Sequence, residues 1–388
     1  MKRVLPQSLI ANPDRRRFVQ VAKAHGFTTA VLVASKGLLW SDRAVAQTAA
    51  DEAARQKAAS VSMILATEYK LGSYKGYPIM QEAFKENLQN ATKGALYVRL
   101  HPAGQLGAGP ALAQKVQAGT VHAAAVSLSN FSPFAPVVDV INIPFWCGES
   151  QRFSNLTSSS LWNNEITPKV NARGYKPVFY YSVGPRTISR VRTSRTGPEV
   201  FRMPADLTGV KVRVPASEML SQIYRLAGGT PTAIAWGETP SALKQGVADA
   251  IDISIGGFWA FGFMDIMGSV TLLSQVPDGQ MFAANLAWFN SLPKAMQTQF
   301  DEAGELTLSQ TWEQLPRALG QARSEMAALG TKFHLPTAAE TQAWIEACGE
   351  QRPEWVPFKV KLAESTARFD ELKAAANTAG KYKVVDYV

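Results

Sequence analysis

The stretch Asp206-Leu-Thr-Gly-Val-Lys-Val-Arg-Val-Pro215 is the most informative part of this 388-residue chain for its fold. Valines at positions 210, 212 and 214 alternate with Lys211 and Arg213, which is the period-two pattern of a short strand buried on one face. Pro215 has no N–H to donate, so it ends the strand. Arg213 is therefore predicted near the carboxyl end of a strand, on the face opposite the valines. Ligands of open α/β sheets bind at that end, where a guanidinium can hold a carboxylate bidentately. The alternative is a strand arginine solvated at the surface.

The rest of the chain alternates strand-like and helix-like patterns, which predicts parallel sheets covered by helices. Strands are predicted at Val61–Ala66, Ala95–Leu100, Val121–Val126 and Val247–Asp252, and helices at Ile79–Gln89, Pro110–Ala118, Ser217–Leu226, Ala295–Ala328, Ala338–Cys348 and Pro357–Ala376. Without residues 1–46, the chain is too long for one small domain and contains no Gly/Ser linker. We therefore expect two lobes joined by chain crossings near Tyr180–Gly184 and Thr271–Val276.

The first 46 residues resemble a twin-arginine export signal. Asp14-Arg-Arg-Arg-Phe-Val-Gln20 supplies the arginine pair, the apolar stretch Phe27–Leu39 follows, and Ala44-Val-Ala46 precedes the expected cut before Gln47. The alternative is an amphipathic first helix of the folded domain. No cysteine stands beside the cut and no later segment is apolar for the ~20 residues that a membrane span needs. We expect a soluble, exported, periplasmic protein without direct membrane insertion.

Removing that segment changes the charge balance. Residues 1–46 hold eight Lys/Arg and two Asp, so the remaining chain has a net charge of +3 instead of the +9 of the whole chain. This weakens the case for nucleic-acid binding. The two cysteines, Cys147 and Cys348, lie 201 positions apart, and we expect two unpaired, buried thiols.

Motifs of catalysis are sparse. The four histidines lack metal-ligand spacing, and no Walker loop or Gly-x-Ser-x-Gly motif occurs. Two Ser-x-x-Lys matches, at Ser241–Lys244 and Ser291–Lys294, lack a Lys-Thr-Gly companion and are better explained as helix starts. We expect no catalytic residues, no metal and no cofactor. An exported hydrolase or cofactor enzyme on a similar two-lobed fold is the alternative.

Several segments, in order and spacing, resemble the solute-binding proteins of tripartite ATP-independent periplasmic (TRAP) transporters. The Lys-x-Arg-x-Pro strand around Arg213 is followed by a Gly-x-x-Pro turn and by a run that ends at Asp252. Further matches are His101-Pro-Ala-Gly-Gln-Leu-Gly107, Ile143-Pro-Phe145, Gly184-Pro-Arg186, Asn285-x-x-Trp288 and Ser291-Leu-Pro293. The resemblance implies a two-lobed periplasmic-binding-protein-like fold, in which each lobe is a mainly parallel sheet flanked by helices and a long helix bridges both. It places lobe 1 at 47–183 plus about 277–318, and lobe 2 with the C-terminal helices at 184–276 plus about 319–388.

The resemblance also implies roles for individual residues. Arg213 matches the arginine that clamps the ligand carboxylate, Arg186 a second arginine near the hinge, and Trp236 an aromatic position against the ligand body. Phe258, Trp259 and Phe261 are either further aromatic wall or hydrophobic core. We also expect Asp252 to be a ligand-binding residue.

Three positions depart from the sugar-acid-binding relatives. Ile253 stands where those relatives carry an amide, and Ser127 and Asn130 stand where they carry charged groups. A polyhydroxylated ligand would lose partners here, at about 1–3 kcal/mol for each unmatched buried polar group. We therefore expect a smaller or more apolar acid, such as a monocarboxylate, an aromatic acid or a short dicarboxylate. The expected partners are that acid and the small and large TRAP membrane subunits.

Overall fold

The structure, a computed structural model, describes residues 42–69 and 80–386, without the side chains of residues 42–49 and 260. The chain divides into two compact units, residues 1–60 and residues 61–388. In the first, the described part contains helix α1 (Asp42–Ala58). The expected export signal lies outside the described residues apart from positions 42–46, which fall within α1. Its cleavage stays a prediction.

In the second unit, the described residues form ten strands. They are β1 (Val61–Thr67), β2 (Leu96–His101), β3 (Ala123–Ser127), β4 (Tyr175–Val191), β5 (Lys211–Val214), β6 (Thr230–Ala233), β7 (Ala250–Ser254), β8 (Met267–Thr271), β9 (Pro277–Asn285) and β10 (Lys332–His334). Their order is β2-β1-β3-β9-β4-β7-β5-β6, with β8 also paired to β4 and β10 paired to β8. Neighbouring strands are parallel except where β4 or β9 takes part, because both run antiparallel to their neighbours β3, β7 and β8 and to each other.

The helices cover these strands. They are α2 (Met80–Ala91), α3 (Gly109–Gln117), α4 (Leu128–Phe131), α5 (Ser150–Ser158), α6 (Thr167–Asn171), α7 (Glu218–Leu226), α8 (Thr239–Lys244), α9 (Ile255–Phe261), α10 (Leu286–Ser291), α11 (Lys294–Ala328), α12 (Ala338–Cys348), α13 (Val356–Ala363) and α14 (Thr366–Asn377). The 35-residue α11 packs on α2 and β4 and, further along, on α9. It therefore spans the β1–β3 part and the β5–β7 part of the molecule.

Strand β4 belongs to both parts of the sheet. Its first section, Tyr175–Pro185, pairs with β9, and the section Arg186–Arg190 pairs with β7. The register with β9 shifts between Ser182 and Pro185. Gly184 lies within this irregular section and has a φ of 108°, a backbone conformation that favours glycine. The predicted crossing near Tyr180–Gly184 thus coincides with a real break in the ladder.

The C-terminal segment packs on the β1–β3 part. α13 contacts a 3₁₀ segment, Pro136–Asn142, and α14 packs on α5. The Ser150 amide donates to the Asp386 carboxylate at 2.7 Å. These contacts hold α13 and α14 on the β1–β3 part, whereas α12 packs on α7. The lobe boundaries stay a prediction.

Most predicted elements are confirmed within a few residues, with one correction. The largely helical pattern predicted over Pro357–Ala376 is observed as two helices, α13 and α14, because Glu364, with a φ of 69°, separates them. The expected strand Val247–Asp252 begins only at Ala250 and continues to Ser254. Cys147 and Cys348 are free and buried, as expected. Within the described ranges, no helix is long and apolar enough to cross a membrane.

Candidate functional site

A cavity with about 430 Å³ of empty volume opens where several parallel strands end. Side chains at or just beyond the carboxyl ends of β1, β3, β5 and β7 meet there with the crossing strands β4 and β9. Its lining consists of Glu68, Tyr69, Ser127, Asn130, Val183, Arg186, Arg213, Pro215, Trp236, Ile253, Gly257, Phe261, Asp278 and Gln280. This is the edge of an open α/β sheet at which ligands bind.

Arg213 reaches the cavity from the next-to-last residue of β5. The valines at 210, 212 and 214 are buried as predicted, but Arg213 on the opposite face is buried too, with 3% of its surface exposed. Its Nε and Nη2 donate to the Ile234 carbonyl at 3.1 and 2.8 Å. Its Cζ lies 4.9 Å from the centre of the Trp236 ring, a cation–π distance. These contacts fix the guanidinium plane and leave Nη1 without a partner among the described residues.

The charge of Arg213 is not neutralised by direct contact. Across residues 42–69 and 80–386, no carboxylate oxygen comes within ion-pair distance of it. Burial, and then the positive charge of Arg186, lower its pKa to about 9, against smaller opposing effects of Asp252, Glu68 and Asp278. A buried cation without a direct counter-ion is costly. An anion bound at this place would supply the missing partner.

Arg186 is held differently, between two buried carboxylates. Its Nη1 donates to Asp252 Oδ1 at 2.7 Å and to the Asp252 carbonyl, and its Nη2 donates to Asp278 Oδ1 at 2.8 Å. Burial acts to lower the pKa of Arg186, but Asp278 and Asp252 outweigh it, and the pKa lies above its usual range. Its Nε is buried and has no hydrogen bond in the described structure, so it is available to a ligand.

Asp252 lies behind Arg186 and does not line the cavity. Its Oδ1 binds Arg186, while its Oδ2 accepts from the Tyr224 hydroxyl at 2.5 Å and from Gln275 at 3.3 Å. Neighbouring residues of a strand point to opposite faces, and in β7 it is Ile253 that faces the cavity. Asp252 was predicted to be a ligand-binding residue, but its carboxylate contacts Arg186 and faces away from the cavity.

Ser127 and Asn130 line the cavity from the end of β3 and from α4. Both are buried, with 8% and 6% of their surface exposed. Among the described residues, the Ser127 hydroxyl is buried without a hydrogen-bond partner. Buried polar groups are normally hydrogen-bonded, so unpartnered ones around a cavity indicate where a ligand binds.

The apolar side of the cavity is formed by rings and by Ile253. Phe261 packs edge-on against Trp236, with ring centres 4.2 Å apart, and lies 4.9 Å from the Tyr69 ring. Of the three aromatic residues expected near the hinge, only Phe261 lines the cavity. Phe258 and Trp259 are buried in the adjoining core. The cavity therefore has one polar side and one aromatic side.

Sequence reasoning missed Glu68, Tyr69, Asp278 and Gln280. Gln280 accepts a hydrogen bond from the Tyr69 hydroxyl and donates to Asp278 Oδ1 at 3.2 Å. Asp278 Oδ2 accepts from the Ser254 hydroxyl at 2.8 Å. The sequence offers one indication of these four residues. Polar residues stand directly after β1 and at the start of β9, where the neighbouring residues are mostly apolar. Their convergence depends on strand pairing between distant segments.

The serines considered for catalysis have other partners. The Ser241 hydroxyl bonds with the Gln245 amide, and the Ser291 hydroxyl donates to the Trp288 carbonyl, so neither contacts the lysine of its motif. Ser291 ends α10, two residues before Pro293, the residue that precedes α11. In the part of the chain that the structure describes, no group of three or more His, Cys, Asp or Glu residues could hold a metal ion.

Known proteins with similar sequences have names that refer to periplasmic binding. The chain is 25% identical over 228 residues to the 2,3-diketo-L-gulonate-binding periplasmic protein YiaO of Escherichia coli K12, covering 58% of this chain and 67% of that protein. It is 24% identical over 268 residues to the C4-dicarboxylate-binding periplasmic protein DctP of Rhodobacter capsulatus, covering 68% and 77%. An uncharacterised Haemophilus influenzae protein matches over 66% of its own length, so the chain spans about two thirds of some of these relatives.

A solved structure confirms the fold class. The TRAP periplasmic solute-binding protein of Ralstonia eutropha H16, with bound (S)-2-acetolactate, superposes with a TM-score of 0.72 at 21% identity, over 81% of this chain and 98% of that one. The expected two-lobed α/β fold with a long bridging helix is the fold observed. A family model described as bacterial extracellular solute-binding protein, family 7, matches residues 74–355, more than half of the chain. The chain belongs to this family of bacterial extracellular solute-binding proteins, the family of the TRAP transporter receptors.

Proposed function

We propose that this protein is an extracytoplasmic receptor that captures a small organic carboxylate in the cavity around Arg213 and delivers it to the membrane subunits of a TRAP transporter. The observation that carries the proposal is the state of Arg213, a buried guanidinium with one donor nitrogen unused and no carboxylate in direct contact. A bound carboxylate would give Arg213 a direct counter-ion and an acceptor for its unused nitrogen together.

Other unused polar atoms support a ligand of modest size. Arg186 Nε and the Ser127 hydroxyl are buried without partners, and Asn130 adds an amide. Trp236, Phe261 and Ile253 provide an apolar wall on the other side of the cavity. A sugar acid carries a hydroxyl on nearly every carbon and would leave several of them unpaired against that wall. We propose a monocarboxylate, an aromatic acid or a short dicarboxylate as the ligand.

We further propose that the protein closes around this ligand as two lobes. The contacts support a division in which residues 61–183, 277–318 and about 353–386 form lobe 1, and residues 184–276 and 319–352 form lobe 2. Among the hydrogen bonds that cross between these lobes, the Ser217 hydroxyl donates to Asp139 Oδ1 at 3.1 Å. Burial raises the pKa of Asp139, whereas hydrogen bonds from Asn142, Ser132 and Ser217 lower it.

Export and delivery complete the proposal. The twin-arginine-like segment within residues 1–46 supports transfer to the periplasm, where the relatives with printed functions are located. The membrane partners would be one small and one large TRAP subunit, and the chain itself would act without chemical conversion of its ligand. Genes for two such membrane proteins beside this one would support this assignment.

A ligand screen tests the proposal. The purified protein, freed of bound ligand by partial unfolding and refolding, is heated with lactate, pyruvate, 2-hydroxyisobutyrate, succinate, benzoate, 4-hydroxybenzoate or galactonate. A ligand at a thousandfold excess over its Kd stabilises the folded state by about 4 kcal/mol, which is a shift of several degrees.

The expected result is a large shift with one class of small acid, no shift with galactonate, and loss of the shift in Arg213→Met. Arg225→Met is the matched control, because Arg225 is an exposed arginine on α7 whose guanidinium contacts only Gln222 among the described residues. No shift with any carboxylate, or a shift that survives in Arg213→Met, would contradict the proposed site.

A further inference from the structure

We propose that Glu68 receives the ligand as a neutral carboxylic acid, so that one proton enters the cavity with each carboxylate that binds. Glu68 would be a specificity-determining residue that donates its O–H to an acceptor oxygen of the ligand. This inference rests on the proposed function and adds the uptake of a proton to the binding reaction.

The position of Glu68 is the first argument. It follows the end of β1, lines the same cavity as Arg213 and has 9% of its surface exposed. Its Oε2 accepts from the backbone N–H of Gly109 at 3.0 Å. Its other oxygen has no hydrogen-bond partner among the described residues, and no cation there lies within ion-pair distance. Glu68 is therefore a buried carboxyl group with one oxygen left for a ligand.

The charges around the cavity are the second argument. Arg213 and Arg186 contribute two positive charges, and Asp252 and Asp278 contribute two negative charges, so these four groups sum to zero. An ionised Glu68 beside an anionic ligand would leave two uncompensated negative charges in a water-poor cavity. A neutral Glu68 leaves one and removes the repulsion between two carboxylates, which is the usual reason that paired carboxyl groups share a proton.

Glu68 is poised between its two states before a ligand arrives. Burial raises its pKa to about 7, the Gly109 N–H and Arg213 lower it, and Asp278 raises it. Tyr181 faces it from β4, and β2 ends at His101, whose register partner is Ala66 of β1. An anionic ligand adds a negative charge and raises the pKa of Glu68 further, so proton uptake follows from binding above pH 7.

This arrangement selects a chemical class of ligand. A neutral acid offers one O–H donor, so the ligand needs an acceptor at that point, which its second carboxylate oxygen or a 2-oxo group provides. Glutamine at position 68 would donate in the same direction with its amide but could not exchange a proton. Glu68→Gln should thus abolish the coupling of binding to pH.

Isothermal titration calorimetry on the whole protein tests the proposal, with the monocarboxylate of the screen that gives the largest thermal shift. Titrations at pH 6 and pH 8 are repeated in buffers with different ionisation enthalpies, and the slope of the binding enthalpy against that quantity counts the protons taken up. We expect about one proton at pH 8, close to none at pH 6, and an affinity about tenfold lower at pH 8.

Two variants separate the outcomes. Glu68→Gln should take up no proton at either pH and bind with an affinity independent of pH, whereas His101→Gln should retain the uptake of the native protein. Binding by the native protein at pH 8 without proton uptake, or uptake that persists in Glu68→Gln, overturns the role of Glu68 and leaves the receptor function intact. An absence of binding heat with every acid instead overturns the receptor function.

Discussion

Two arginines line one cavity, and we expect their replacement by methionine to affect stability to very different extents. Arg213 carries an unneutralised charge in the free protein, whereas Arg186 compensates Asp252 and Asp278. Methionine approximates the length of the arginine stem and removes the charge in both cases. The comparison therefore isolates what each guanidinium does before any ligand is present.

The magnitudes follow from the contacts. A pKa of about 9 for Arg213 means that its charge is disfavoured by roughly 4–5 kcal/mol, at about 1.4 kcal/mol per pKa unit. Its removal recovers that cost but leaves the Ile234 carbonyl unsatisfied, about 1–3 kcal/mol, and loses about 1–2 kcal/mol of contact with Trp236. Arg213→Met should thus change the free energy of unfolding by less than about 2 kcal/mol. Arg186→Met should lower it by about 3–5 kcal/mol, because it leaves two buried carboxylates uncompensated.

The effects on ligand affinity should differ from the effects on stability. Arg213→Met should weaken carboxylate binding by at least about a hundredfold, because a buried partner of the ligand is lost. Urea denaturation without ligand gives the stabilities, and calorimetric titration gives the affinities, with Arg225→Met as the control for loss of a surface charge. A destabilisation of Arg213→Met by more than about 3 kcal/mol, or native affinity in that variant, would refute the reasoning.

Three further predictions concern protonation, closure and the crossing strand. The folded-state pKa of Glu68, about 7, exceeds its unfolded value, so the native protein should lose up to about 3 kcal/mol of stability as the pH rises from 5 to 8. Glu68→Gln should lack that loss in urea denaturation at the two pH values, and a parallel decline in both proteins would contradict it. Ser217→Ala and Thr337→Ala each remove a helix N-cap, at about 1 kcal/mol, but only Ser217 also donates to a carboxylate of the other proposed lobe. Calorimetry should show weaker ligand binding in Ser217→Ala alone, and an equal effect of both would count against that bond. Gly184→Ala should lower the melting temperature more than Gly209→Ala, because both have positive φ but only the Cβ of the first would lie 3.1 Å from a leucine methyl of α11; equal losses would deny that contact any importance.

The position of Arg213 was predictable because it depends on a local pattern. Alternation within Val210–Val214 and the ladder-ending Pro215 specify a strand and its carboxyl end without reference to any other segment. The burial of Arg213 was not predictable in the same way. It depends on Ile234, Trp236 and the opposite wall of the cavity, which reach it only through tertiary packing.

The remaining polar side of the site could not be derived from the sequence. The ion pair between Arg186 and Asp278 joins residues 92 positions apart, and it exists because β4 and β9 are paired. Glu68 stands in an unremarkable Thr-Glu-Tyr context, and only the folded chain places it opposite Arg213. Asp252 shows the converse, because its neighbour Ile253 was correctly associated with the cavity but strand alternation turns Asp252 away from it.

Two contacts join the β1–β3 region to segments that are synthesised much later. Strand β3 pairs with β9, and the Ser150 amide bonds with Asp386, 236 positions further along the chain. The region that contains β1–β3 exposes an unpaired strand edge and the uncovered surface of α5 until almost the whole polypeptide has been made. Contacts of such high sequence separation form slowly, because the entropy of closing the intervening chain must be lost before the contacts repay it. The β1–β3 region should therefore complete its folding only after α14 has been synthesised.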